Sequence, residues 1–109
     1  GEYRGLDIAD VGVLGLTRGI AVTEAYAKAG IRCNYICPGD IRTSMVEQYW
    51  AAQPDPASAE ADTIAHYPMK RIGEPSEMAD TVLYLVSDLS SFVNGTSIVV
   101  DGGVMAKVY

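Results

Sequence analysis

The sequence predicts an α/β fold in which two parallel strands are joined by helices. A short stretch of β-favouring residues, 31–37, stops at Pro38 and Gly39, and a second stretch, 96–100, runs into Asp101. Between the two stretches lie segments with apolar residues at helical spacing. A strand, a helical crossover and a further strand form the unit that builds parallel sheets.

Two longer helices are predicted, one before the first strand and one between the two strands. Before the first strand, apolar residues in 11–29 recur three or four positions apart, which predicts one amphipathic helix. Gly30 follows and is typical of a helix C-terminus. Further along, Pro75 in a first turn and Glu77 near the positive end of the helix dipole predict a helix that continues to about Asp88.

The segment 44–70 is predicted to be lid-like. Residues 45–52 and 57–66 each favour a short helix, and the Pro-Asp-Pro run at 54–56 separates the two. Long excursions of this kind in a compact domain usually form lids or binding loops.

Composition excludes several kinds of partner. The chain has 109 residues with 14 acidic and 8 basic side chains, a net charge of −6, and no basic cluster. Nucleic acid and anionic membrane surfaces both attract basic patches, so neither is expected as a partner. The sequence also contains no apolar run of about 18 residues, so no membrane span is expected. Small molecules and other proteins remain.

The cysteines and the single histidine suggest no metal site. Cys33 and Cys37 would lie roughly 13 Å apart along a strand, which rules out a disulfide between them. Two free thiols suit a cytoplasmic location. His66 has no second histidine or cysteine at ligand spacing, so a surface position is expected for it.

Five motifs occur in the order found in one family. The motifs are at 12–18, 30–34, 38–45, 71–75 and 100–103. Together they resemble the C-terminal half of classical short-chain dehydrogenases/reductases, Rossmann-type enzymes that use NAD or NADP. The resemblance implies that residues 1–109 are the distal portion of a doubly wound parallel sheet, a partial NAD(P)-binding domain whose sequence starts inside a helix.

The resemblance also implies a vestigial or partial nicotinamide site after the first strand. In the family, the corresponding turn lies beside the nicotinamide, which assigns the site to Pro38, Gly39, Ile41 and Thr43. The Ile41 backbone and the Thr43 hydroxyl would hold the carboxamide. The alternative is structural: Pro38 and Gly39 only end a strand, and Thr43 caps the next helix.

The family's catalytic Tyr-x-x-x-Lys pair has no counterpart in this sequence. Gly12 fixes the register, which puts Leu6 at the tyrosine position and Asp10 at the lysine position. Neither side chain can act as the tuned phenol and its ammonium partner. Tyr3 is a poor substitute, because Asp7 four residues on would raise its pKa. The sequence also lacks a Gly-rich pyrophosphate loop, so we predict that the chain alone is inactive.

Further expectations concern substrate and partners. The family's lid position implies that Met45, Tyr49 and Trp50 contact an alcohol or carbonyl substrate, although simple packing explains these side chains equally well. The segment 21–29 is two residues longer than the family spacing, which predicts a bulge or a longer terminal loop in a helix that forms dimers in the family. Two alternatives to an enzyme stay open: a non-catalytic assembly or binding module that forms a homo-oligomer or pairs with a full-length homologue, and an incomplete gene product.

Overall fold

The α/β class is confirmed by a computed structural model, which describes the backbone of residues 8–107 and the side chains of residues 11–107. The helices and strands, in chain order, are α1 (Ile8–Ala21), α2 (Glu24–Lys28), β1 (Tyr35–Pro38), α3 (Ser44–Ala51), α4 (Pro56–Ala65), α5 (Pro75–Val86) and β2 (Ser97–Val100). Short 3-10 turns span Asp88–Ser90 and Val104–Ala106. Leu6, Tyr3, Asp7 and the Asp10 side chain lie outside the described part.

The two strands pair in parallel. The Tyr35 N–H donates to the Thr96 carbonyl at 2.9 Å, and the Gly39 N–H donates to the Val100 carbonyl at 3.0 Å. From the first bond to the second, the chain moves four residues forward in each strand, from 35 to 39 and from 96 to 100, so the strands run in the same direction. The carboxyl ends of both strands therefore lie at one edge, as the strand–helix–strand pattern predicts.

The chain divides into two compact units. Unit 1 contains the residues up to Cys37 and Val82–Ile98, and unit 2 contains Pro38–Thr81 and the residues from Val99 onwards.

In unit 1, the prediction of a single helix over 11–29 is wrong. Helix α1 ends at Ala21, and α2 begins after Thr23, whose backbone is extended with ψ at 110°. The Thr23 hydroxyl donates to the Gly19 carbonyl at 2.8 Å. Because Thr side chains compete for backbone groups in this way and β-branched residues disfavour helix, the helix stops here. The interruption falls within the stretch that is longer than the family spacing.

Gly30 ends α2 as predicted. Its φ is +84°, in the left-handed region. The Ile31 N–H donates to the Tyr26 carbonyl at 3.0 Å, and the Gly30 N–H donates to the Ala27 carbonyl at 3.1 Å. These two bonds form a Schellman motif, which satisfies the last carbonyls of the helix.

The first strand is shorter than predicted and begins at Tyr35 rather than at residue 31. The Cys33 N–H donates to the Asn94 side chain at 3.0 Å, and the Gly95 N–H donates to the Cys33 carbonyl at 2.8 Å. This segment is therefore bonded to the turn that precedes β2 instead of to a strand, and the ladder starts only after that turn.

Unit 1 has little apolar core. Its buried described residues are Thr17, Ala21 and Ser90, none of which is a large apolar residue. A polar contact holds the far end of α5: the Arg32 guanidinium donates to the carbonyls of Leu85, Ser87 and Val93 at 2.8, 3.3 and 3.1 Å.

Unit 2 has a small apolar core made by Trp50, Tyr67 and Ile72. Both helices predicted within 44–70 are present, as α3 and α4. The Asp55 carboxylate accepts a bond from the Ser58 N–H at 3.2 Å and so caps α4. The helix begins at Pro56, a residue that is favoured in the first turn. Helix α5 begins at Pro75 as predicted.

Candidate functional site

The carboxyl ends of the two strands carry the residues of the candidate site. Strand β1 leads into residues 40–43, here called the edge loop, and β2 leads into a turn that starts at Asp101. In that turn Gly102 and Gly103 have φ of +61° and +88°. The Asp101 carboxylate accepts bonds from the N–H groups of Gly103 and Met105 at 2.9 and 3.0 Å. The turn after β2 is therefore stabilised by its own aspartate.

The edge loop is held on one side by Gly73. The Arg42 N–H donates to the Gly73 carbonyl at 2.8 Å, and the Gly73 N–H donates to the Asp40 carbonyl at 2.9 Å, which makes a parallel bridge centred on Ile41. A Cβ at Gly73 would lie 2.7 Å from Ile41 Cδ1, so a larger residue here would require the Ile41 side chain to change its rotamer. The bridge uses the backbone groups of residues 40 and 42. In the described part of the chain, the Ile41 N–H and carbonyl themselves form no hydrogen bond.

Thr43 caps α3, as the structural alternative predicts. Its hydroxyl oxygen accepts a bond from the Val46 N–H at 3.4 Å, which is long for such a bond. The side chain is exposed, and within residues 11–107 no acceptor takes its hydroxyl proton. Capping therefore leaves the Thr43 O–H able to donate to a ligand.

On its other side the edge loop is held by Tyr67, a contact that the sequence did not reveal. The Tyr67 hydroxyl accepts a bond from the Asp40 N–H at 2.7 Å and donates to the Asp40 carboxylate at 2.8 Å. The ring is only 5% exposed. A Cβ at Gly39 would lie 3.1 Å from the Tyr67 hydroxyl and 3.0 Å from Asp101 Cα, which explains the glycine.

Tyr67 does not replace the missing catalytic tyrosine. The pKa of Tyr67 is raised to about 12, chiefly by burial. The bond from the Asp40 N–H lowers this pKa in part, and the Asp40 carboxylate and the Asp101 charge add to the rise. A general acid or base works best with a pKa near the operating pH. Tyr67 therefore stays protonated and serves as a hydrogen-bonding group.

A cleft of about 440 Å³ opens beside the loop within unit 2. Its walls include apolar side chains from Ile41, Met69 and Met78, and a polar pair, Arg71 with Glu77. The Arg71 guanidinium donates to both Glu77 oxygens at 2.6 and 3.2 Å, and this pairing holds the pKa of the Glu77 carboxyl below its usual range. Of the four predicted nicotinamide residues, Ile41 lines the cleft; Pro38, Gly39 and Thr43 do not.

The three predicted lid residues occupy different environments. Met45 and Tyr49 are 76% and 62% exposed, whereas Trp50 is 4% exposed. The Trp50 indole N–H donates to the Thr63 hydroxyl at 3.1 Å, and the Arg42 guanidinium stands 5.5 Å from the indole ring centroid. This burial favours packing as the role of Trp50, and Met45 and Tyr49 remain candidates for substrate contact.

Within residues 11–107, no three His, Cys, Asp or Glu side chains are grouped so that they could hold a metal ion. His66 is exposed, as expected. Over the same residues, none of the helices has the length and apolar character needed to cross a membrane.

Comparison with known proteins defines the family. A family model described as enoyl-(acyl carrier protein) reductase matches residues 2–105. The chain belongs to the short-chain dehydrogenase/reductase family. It is 41% identical over 91 residues to dehydrogenase/reductase SDR family member 6 from Danio rerio, covering 84% of this chain and 36% of the relative. Oxidoreductase UcpA from Escherichia coli is 41% identical over 93 residues, with 84% and 35% covered. The chain thus spans about a third of the length of these relatives.

Solved structures agree with this assignment. Levodione reductase matches with a TM-score of 0.83 and 41% identity over 97% of this chain and 43% of that chain. A C-terminal deletion mutant of Thermoplasma acidophilum aldohexose dehydrogenase matches with a TM-score of 0.82 and 34% identity, covering 91% and 44%. The Rossmann-type fold expected from the motifs is therefore confirmed.

Proposed function

We propose that this chain forms the nicotinamide-facing edge of an NAD(P)-dependent oxidoreductase that acts on alcohol or carbonyl compounds. The observation that carries the proposal is that, within the described residues, the Ile41 N–H and carbonyl form no hydrogen bond and Thr43, two residues further along the edge loop, keeps a free hydroxyl proton. A carboxamide is planar, with one acceptor and one donor group, and a backbone N–H with a neighbouring carbonyl or hydroxyl complements it.

These residues fit a nicotinamide, which when bound would supply the hydride donor or acceptor. Ile41 would hold the carboxamide through its backbone, and Thr43 would add a hydroxyl donor while continuing to cap α3. Pro38 ends β1, and Gly39 lets Tyr67 and Asp101 approach. Levodione reductase and aldohexose dehydrogenase are named for carbonyl and alcohol chemistry, which supports the same substrate class here.

We propose further that the 109 residues do not transfer hydride by themselves. Leu6 and Asp10 stand at the family's tyrosine and lysine positions and cannot provide a tuned phenol and its ammonium partner. Tyr67 is held protonated by its raised pKa. No Gly-rich loop is present to bind a pyrophosphate at a helix N-terminus, so the main source of dinucleotide affinity is missing.

Titration of the purified chain with NADH and with NADPH, followed by nicotinamide fluorescence, tests this proposal. We expect no saturable binding at micromolar concentrations and no alcohol-dependent reduction of NAD or NADP. Saturable micromolar binding would contradict the predicted loss of cofactor affinity. Turnover that tracks the protein through purification would show that the chain is a competent enzyme.

A second candidate function is a non-catalytic assembly module, which one observation supports. Unit 1 exposes large apolar side chains along the end of α5 and the turn that follows. Leu83, Val86 and Leu89 are exposed, and Phe92 is fully so. Large apolar side chains exposed close together along a chain are typical of protein–protein contact sites. A second copy or a full-length homologue would be the partner.

A further inference from the structure

We infer that Tyr67 is a positioning residue, which fixes the backbone of the edge loop so that Ile41 and Thr43 are presented to a nicotinamide. The inference rests on the proposed function for its ligand. For its geometry it rests on contacts within unit 2 alone.

The Tyr67 hydroxyl bonds twice to one residue. It accepts from the Asp40 N–H at 2.7 Å and donates to the Asp40 carboxylate at 2.8 Å. The first distance is short for an N–H···O bond, and the second is typical of an O–H···O bond. Because one bond ends on the backbone and the other on the side chain, the hydroxyl fixes the peptide plane and the side-chain rotamer of Asp40 together.

The loop is thereby held from two directions. Tyr67 bonds the Asp40 N–H, and Gly73 bonds the Asp40 carbonyl and the Arg42 N–H. The two Gly73 bonds hold the peptide planes that carry the Ile41 N–H and carbonyl. The Tyr67 bond holds the preceding plane at the Asp40 N–H, so Tyr67 acts on Ile41 through the backbone of Asp40. Asp40 is exposed, and packing alone gives little restraint on this residue. Without the hydroxyl, one of the two restraints is lost.

The ring of Tyr67 is fixed independently of the loop. It packs in the core with Trp50 and Ile72. A Cβ at Gly102 would lie 3.5 Å from Tyr67 Cδ1, so the ring also contacts the turn after β2. Replacing tyrosine with phenylalanine therefore removes the two bonds to Asp40 and keeps the ring in place.

Amide hydrogen exchange of the intact 109-residue chain tests the role. In Tyr67→Phe we expect exchange of the Asp40 amide to accelerate about tenfold, the effect of losing one hydrogen bond, with the amides of α4 unchanged. Tyr49→Phe is the matched control, because Tyr49 lies in α3 and is 62% exposed; it should change neither set. Equal acceleration at Asp40 and in α4 would mean that Tyr67 only supports the core, and unchanged exchange at Asp40 would also overturn the inference.

Binding of nicotinamide mononucleotide, followed by NMR shifts of the Ile41 and Thr43 amides, supplies the second readout. Tyr67→Phe should weaken this binding about fivefold or more. Tyr26→Phe should leave it unchanged, because Tyr26 is exposed and lies in α2 of unit 1. If the unsubstituted chain shows no such shifts while the local exchange effect is present, the proposed function fails and the positioning role of Tyr67 remains. If binding is present and equal in both variants, the positioning role fails.

Two further variants guard against misfolding. Gly39→Ala adds a Cβ that would lie 3.1 Å from the Tyr67 hydroxyl and 3.0 Å from Asp101 Cα, so it should accelerate exchange of the Asp40 amide together with amides of the turn after β2. Asp40→Asn keeps an oxygen that can accept the Tyr67 proton, so exchange at position 40 should stay close to that of the unsubstituted chain. A Gly39→Ala chain with unchanged exchange at Asp40 would contradict the role.

Discussion

At the scale of single residues, the raised pKa of Tyr67 makes the free energy of unfolding depend on pH. This pKa is raised from 10.0 to about 12 by burial. Between these values the unfolded chain loses the proton while the folded chain keeps it, so the folded state binds more protons. The contribution to the free energy of unfolding is complete below pH 10 and is lost as pH rises towards 12.

We therefore expect the free energy of unfolding to fall as pH rises from 10 to 12, and Tyr67→Phe to make this fall shallower. Urea denaturation across that range measures the slope, with Tyr49→Phe as the control for loss of an exposed phenol. Equal slopes in the Tyr67→Phe and unsubstituted chains would show that burial does not raise the pKa of this tyrosine.

Gly73 tests the close approach at the edge loop. An added Cβ would lie 2.7 Å from Ile41 Cδ1, the end of a flexible side chain, so Gly73→Ala forces the Ile41 side chain off its rotamer and should destabilise the chain by about 0.5–1.5 kcal/mol. Gly15→Ala is the control, because no atom lies within 4 Å of its added Cβ in α1. That change should stabilise by about 0.5–1 kcal/mol, as alanine replaces glycine inside a helix. Denaturant midpoints measure both, and a tolerated Gly73→Ala would contradict the tight bridge.

At the scale of elements, α3 depends on Thr43 for its first turn. The capping bond is long, at 3.4 Å, so Thr43→Ala should cost about 0.5 kcal/mol, the low end of the range for an N-cap. Thr43→Ser keeps the hydroxyl and should restore most of this. The free energy of unfolding measures the first effect. Nicotinamide mononucleotide binding should fall in the alanine variant and recover in the serine variant; an alanine variant that binds as well as the serine variant would remove Thr43 from the site.

The ends of helices and strands were predictable where a single residue sets them through its own backbone preference. Gly30 and Pro75 mark a helix end and a helix start through properties of the residues themselves, and both predictions are confirmed. The start of β1 was not predictable, because it is set by Asn94, which is 61 residues from Cys33. The break before Thr23 was suggested only by the two extra residues in this segment. The bond from the Thr23 hydroxyl to the Gly19 carbonyl, which stabilises the break, could not be predicted from the sequence.

The same distinction applies to the candidate site. Ile41 and Thr43 could be identified because a motif surrounds them in the sequence. Tyr67 could not, because its partner Asp40 is 27 residues away and aromatic residues in a lid have many roles. For Trp50, the position in the lid predicted substrate contact and packing equally. The structure favours packing, because its indole N–H donates to Thr63.

At the scale of the whole molecule, the apolar surface of unit 1 predicts self-association. Leu89 is 83% exposed and Phe92 is fully exposed, while unit 1 buries no large apolar side chain among its described residues. We expect sedimentation to show concentration-dependent association, which Leu89→Glu with Phe92→Glu should reduce. Val22→Glu is the control, because Val22 is also exposed but lies before α2. A chain that is monomeric at all concentrations and unfolds cooperatively at high temperature would contradict this expectation.

The central claim is that the edge loop is a nicotinamide site, and mapping nicotinamide mononucleotide onto the chain by NMR amide shifts tests it most directly. At millimolar ligand we expect the largest shifts at Ile41 and Thr43, with smaller shifts at Gly73, which is bonded to the loop. Amides of α2 in unit 1 should not move. Shifts confined to other parts of the chain, or none at millimolar concentration, would contradict the claim.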